Sequence, residues 1–124
     1  MEPCWMALGQ AAGITAALAI DKGVKVRNVD IPSLQDILIK QKATLIYFRD
    51  VKPTDDAFPL VQYLGLRGYL PDWNASLQQP IDESTLRNWS NLCGTQLKAT
   101  PRQTTRQKVL TDIYKLQSER TGLF

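Results

Sequence analysis

Apolar residues along the chain fall into five runs with helical spacing, separated by short segments rich in Gly, Pro, Asn and Asp. The first run, from about Met6 to Lys22, is apolar on nearly every side and stops at Gly23, a residue suited to the left-handed turn that closes a helix. The second spans about Pro32 to Gln41. Asp30 is placed to cap it, Pro32 fits its first turn, and Leu34, Ile37 and Leu38 form the stripe expected to be buried. The third covers about Asp55 to Leu66 and ends at Gly68, with Ala57, Val61 and Leu64 on one face. Pro59 must sit in its first turn, or the helix starts later. The fourth runs from the cap Asp82 through Leu86 and Trp89 to Leu92 and closes at Gly94. The fifth runs from about Thr104 to Arg120, with Val109, Ile113, Leu116 and Leu110 on its apolar side. Ala43-Thr44-Leu45-Ile46-Tyr47-Phe48 is β-prone and reads as a short strand or as buried extended chain. The pattern predicts a mostly α fold of about five helices, bundle-like, with at most one short strand pair.

A chain of 124 residues buries enough surface to fold without disulfides or metals. It has no histidine, which removes His-based metal sites, the Ser-His-Asp and Cys-His nucleophile systems, and the commonest general base at neutral pH. Cys4 and Cys93 alone cannot make a zinc site. Composition therefore argues against an autonomous enzyme. Residues 7–20 form an apolar run broken by Gln10 and Thr15, shorter than the roughly 20 residues a bilayer span needs, so no transmembrane segment is expected. No basic region precedes that run, as a signal peptide requires. A chain that opens on its most apolar helix reads as a fragment, with a larger N-terminal portion missing.

The net charge of +3 is uneven. From Lys98 onward Lys98, Arg102, Arg106, Lys108, Lys115 and Arg120 outnumber Asp112 and Glu119. No aromatic stacking platform accompanies these cations, so a solvated helix face is expected and nucleic acid is not.

The first helix is built from small residues, including Ala7, Gly9, Ala11, Ala12, Gly13, Ala16, Ala17 and Ala19. Gly9 and Gly13, four apart, share a face. Glycine in a helix costs about 1 kcal/mol relative to alanine, so two of them point to close approach by another backbone or a flat ligand. The spacing alone favours helix–helix packing. The string Glu2-Pro3-Cys4-Trp5-Met6-Ala7-Leu8-Gly9-Gln10-Ala11-Ala12-Gly13 resembles the last flavin-contacting segment of FAD-dependent oxidoreductases. The most similar group is bacterial, and its members often carry the label xanthan lyase. The resemblance continues through Val29-Asp30, Leu34-Gln35 and Leu38, to about residue 42. It implies that the helix N-terminus faces the pyrimidine edge of the flavin. Leu8, Gly9, Gln10 and Gly13 are then the cofactor-binding residues, and backbone amides stabilise negative charge on reduced flavin. No Gly-x-Gly-x-x-Gly fingerprint is present, so FAD is expected in the parent protein and not in this chain alone.

A second resemblance runs from Phe48 to Trp89. Phe48-x-Asp50-Val51, Ala57, Val61, Tyr63-Leu64, Arg67-Gly68-Tyr69, Leu77, Pro80-Ile81 and Leu86 are similar to the S-layer homology module of bacterial envelope proteins, a helix–loop–helix unit that can hold cell-wall polysaccharide. That family's Thr-Arg-Ala-Glu motif is replaced here by Asp82-Glu83-Ser84-Thr85, so its sugar-binding arginine has no match. Packing or docking is favoured over glycan binding.

Among weaker candidates, Asp55-Asp56 and Asp82-Glu83 read as helix caps, Trp73 and Trp89 as anchors before sugar platforms, and Cys4 as a redox thiol or a small hydrophobe. The expected organisation is a flavin-domain remnant over 1–42, an S-layer-like module over 43–95 and a basic amphipathic helix over 96–124. The expected function is that of a C-terminal fragment of an FAD-dependent oxidoreductase, not catalytic alone. The alternative is a non-catalytic envelope or carbohydrate-binding module. Expected partners are the missing flavin domain, a second copy through the first helix, and carbohydrate.

Overall fold

Caps and prolines set where the helices begin. The structure, a computed structural model, describes residues 2–121. They form α1 (Glu2–Lys22), a 3-10 turn (Val26–Asn28), α2 (Ile31–Lys40), α3 (Phe58–Gly65), α4 (Glu83–Cys93) and α5 (Arg106–Thr121). The fold is mostly α, as the apolar spacing predicts. Two compact units divide the chain, Met1–Leu45 and Ile46–Phe124.

In the first unit Asp30 caps α2 by accepting from the Ser33 amide at 2.9 Å and the Ser33 hydroxyl at 2.6 Å. Those Ser33 bonds hold its carboxyl below the ordinary range. Gly23, at φ +61°, closes α1, and the Val24 amide returns to the Ala19 carbonyl at 3.0 Å. α1 packs on α2 and on the 3-10 turn. The buried set is Ala19, Val29, Leu38 and Ile39. Leu34 and Ile37 are only half-buried, so the expected stripe is shifted one residue toward the helix end.

In the second unit α3 starts at Phe58, three residues later than the apolar spacing suggests, and Pro59 lies in its first turn. Asp55 does not cap it. Its carboxylate accepts from the Lys52 amide at 2.8 Å and closes the preceding turn. α3 is buried at Phe58 and from Val61 to Gly65, with Pro59 exposed and Leu60 half-buried, and it packs against α5. A Cβ on Gly65 would lie 3.0 Å from the Phe48 ring, which is why this turn of helix carries glycine. α4 has the cap Asp82, accepting from the Thr85 amide at 3.0 Å, and the left-handed Gly94 at its end. Hydrogen bonds from Ser84 and Thr85 hold the Asp82 carboxyl well below the ordinary carboxylate range.

No strand forms among the described residues; pairing is limited to an isolated bridge between Pro80 and Thr105. The β-prone run 43–48 is irregular chain with Phe48 buried. The cause is Gln62. Its side-chain amide accepts from the Ile46 N–H at 3.0 Å and donates to the Ile46 carbonyl at 2.7 Å, standing in for a strand partner. Gln62→Leu is expected to cost about 2 kcal/mol in urea unfolding, because both Ile46 groups lose their partner. Gln62→Glu, which sets a buried carboxylate against the Ile46 carbonyl, should be at least as destabilising. A wild-type urea midpoint for Gln62→Leu would show that the bracket contributes nothing.

Candidate functional site

α1 carries the residues singled out for cofactor contact. At 100° per residue, its covered side includes Ala11, Ile14, Thr15, Leu18 and Ala19. Met6, Gly9, Gly13 and Ile20 lie on the opposite side. Met6 is 74% and Ile20 82% exposed. A Cβ built on Gly9 or Gly13 meets nothing within 4 Å. Nothing else in the described structure therefore needs glycine at either position. Gln10 flanks this face, whereas Leu8 lies on the same side of the helix as Thr15 and Ala19. Leu8 is exposed, and the Gln10 amide donates to Gln41 Oε1 at 2.7 Å.

The helix starts at Glu2, four residues before the expected Met6. Pro3 belongs to the first turn, where its missing N–H costs nothing. As a consequence Leu8, Gly9 and Gln10 lie in the helix interior, where their amides are spent on carbonyls four residues back. The Gly9–Gly13 face is bare of neighbouring atoms. Anion stabilisation by free amides at 8–10 does not fit a helix that begins at Glu2.

The 21-residue α1 is also long and apolar enough to cross a membrane by length and composition, beyond the 14-residue run that sequence reading measured. A helix belonging to the interior of a larger fold meets the same two criteria.

The aromatic candidates separate. Trp89 is 2% exposed and its indole N–H donates to the Tyr69 carbonyl at 2.8 Å, so it is a core anchor. Trp73 is 65% exposed and lies 6.3 Å from the Tyr47 ring. Cys4 is exposed and Cys93 buried, both as free thiols. No group of three metal-ligating side chains occurs among the described residues. The sequence pattern named Asp50 and missed its role: its carboxylate accepts from the Ala75 and Ser76 amides at 2.8 and 2.7 Å. It also missed the role of Tyr69, whose hydroxyl accepts from Gln117 Nε2 at 2.8 Å.

Burial pushes the Tyr69 hydroxyl up to about 12, and the neighbouring Cys93 adds to the rise. The folded state thus keeps a proton that the unfolded state releases near 10.0. Stability from this group is complete below that value and falls as pH rises toward about 12. Tyr69→Phe should flatten this alkaline decline in urea midpoint against pH. An unchanged slope would locate the decline elsewhere.

Comparison with known proteins bears on the first unit. Residues 1–38 match the family model described as FAD dependent oxidoreductase. The match covers α1 and most of α2, under a third of the chain, and residues 39–124 lie outside it. No curated protein and no solved structure matches the chain. The segment similar to FAD-dependent oxidoreductases thus contains the bare glycine face of α1.

Proposed function

We propose that residues 1–38 belong to the flavin-binding domain of an FAD-dependent oxidoreductase, and that α1 turns its Gly9–Gly13 face toward that domain and its cofactor. The observation that carries this reading is the open space around Gly9 and Gly13. Each glycine weakens the helix by about 1 kcal/mol relative to alanine and gains nothing from the described residues in return. The family match over the same segment supplies the ligand class. Gln10 borders the face and would line one edge of a bound ring, whereas Leu8 lies on the side of the helix that carries Thr15 and Ala19. FAD, when bound, supplies the redox chemistry; this chain supplies a surface without side chains to hold it close. The chain alone neither holds FAD nor catalyses, because it has no glycine-rich pyrophosphate loop.

The test is accessibility of the exposed face. Cys4 is first replaced by serine, since it is exposed, and Ile20→Cys is introduced as the probe. The probe should react rapidly with a thiol reagent in this chain. It should be protected when the coding sequence upstream of Met1 is expressed with it. Protection by added lipid vesicles and not by the upstream sequence would replace the flavin reading with a membrane one.

A second reading concerns residues 46–124 alone, as a non-catalytic envelope module. The buried positions Phe48, Val51, Val61, Leu64, Tyr69 and Ile81 are among those that resemble the S-layer homology unit, which supports shared packing. Position 83, where that family has its arginine, is an exposed glutamate paired with Arg87 at 3.4 Å. Retention of the chain on purified cell-wall polysaccharide, competed by soluble polymer, would favour this reading. We expect none.

A further inference from the structure

A cleft of about 440 Å³ runs beside α4, with Thr85, which donates to the Asp82 cap, on its wall. Tyr69, Asp72, Asn88, Asn91, Trp89 and Arg106 line it. Arg106 enters from the first turn of α5 and is half-buried. Its Nε donates to the Ala75 carbonyl at 3.2 Å, and its guanidinium lies 5.1 Å from the centre of the Trp89 ring. Two contacts thus fix the side chain, and the terminal Nη1–Nη2 pair has no partner among the described residues. Nor is there a carboxylate within ion-pair distance, since the ion pair among the described residues is Arg87–Glu83.

A half-buried guanidinium without a counter-ion favours an anion, and its two parallel N–H donors match a carboxylate. Asp72 lines the same cleft and does not pair with Arg106. A purely anionic ligand meets repulsion from Asp72. A ligand that carries an ammonium as well as a carboxylate meets an opposite charge at each end. The exposed carboxamides of Asn88 and Asn91 supply further donors and acceptors, and Trp89, Pro71 and Leu92 give the cleft an apolar wall. We propose that this cleft binds a small zwitterion of the α-amino-acid type, its carboxylate on Arg106 and its ammonium on Asp72. This assignment is independent of the flavin reading, because it rests wholly on residues 46–124.

The test is an NMR titration of the full chain with valine, acetate and ethylammonium, following the Trp89 indole and the Asn88 and Asn91 side-chain amides. Valine should give saturable shifts with a Kd of roughly 1 mM. Acetate and ethylammonium, which each engage one charge, should bind about tenfold more weakly or worse. Arg106→Lys should weaken valine, while Arg87→Gln, outside the cleft, should not. Asp72→Asn, on an exposed loop, keeps the test valid even where Arg106→Lys perturbs the fold. It should weaken valine about fivefold and leave acetate unchanged or stronger. Absence of saturable shifts with valine, equal binding of acetate and valine, or indifference of valine binding to Asp72→Asn would each overturn the proposal.

Discussion

Leu110→Ala is expected to destabilise the Ile46–Phe124 unit by about 3 kcal/mol in urea unfolding. Leu110 is fully buried on α5 beside Val109 and Ile113, and α5 packs on α3, where Val61 and Leu64 are also fully buried. Truncation removes apolar area from the core and leaves a cavity that α3 cannot collapse to fill, because α3 is itself buried from Val61 to Gly65 and held by Gln62. Leu116→Ala is the matched control on the same helix. Leu116 is half-buried at a groove with Leu97 and Lys98, so its loss should cost under about 1.5 kcal/mol. Equal effects of the two substitutions would contradict the assignment of α5's inner face.

Gly9→Val is expected to be nearly silent in this chain and severe in the longer protein. Within the chain, valine meets no neighbour and has a somewhat better helix propensity than glycine, so the melting temperature should hold or rise slightly. Against a flavin ring in close contact, the same branched side chain overpacks the interface. A cost of about 1–3 kcal/mol is usual for such insertions, which is a roughly 5- to 150-fold loss of FAD affinity. The reduction potential of the flavin that remains separates two forms of contact. With α1 helical from Glu2, the amides at 8–10 are spent and the potential should not move. If the first turn opens up to Met6 in the longer protein, a lost amide donor is worth roughly 3 kcal/mol, mostly to reduced flavin, and the potential should fall. Full FAD occupancy with an unchanged potential would remove Gly9 from the site.

Helix number was legible because capping and apolar period agree at Asp30, Asp82 and Gly94, where one residue type satisfies both local and tertiary demands. The boundaries of α1 and α3 were not. At α1, Glu2-Pro3 reads as a lead-in, yet proline is accommodated in a first turn. At α3, the acids Asp55 and Asp56 look like caps, but a turn one step earlier takes the Asp55 carboxylate. The fate of 43–48 was illegible because it depends on Gln62, a long-range partner that leaves no periodic signal. For the site, the pairing of Gly9 with Gly13 was visible as a spacing of four. Their bare surroundings were not, since the direction a helix face points depends on what α2 covers. Arg106 was read as one of six tail cations, and its place over Trp89 follows from the long-range link between residues 77–81 and 102–107.

The central claim is that α1 belongs to a flavin-binding surface that is incomplete within these 124 residues. The most direct measurement is a flavin fluorescence titration of this chain beside the protein extended by its upstream coding sequence. No binding to the chain at micromolar FAD, and one FAD per extended protein, are the expected results. Stoichiometric binding to the chain alone, or an extended protein that ignores FAD, would contradict that claim.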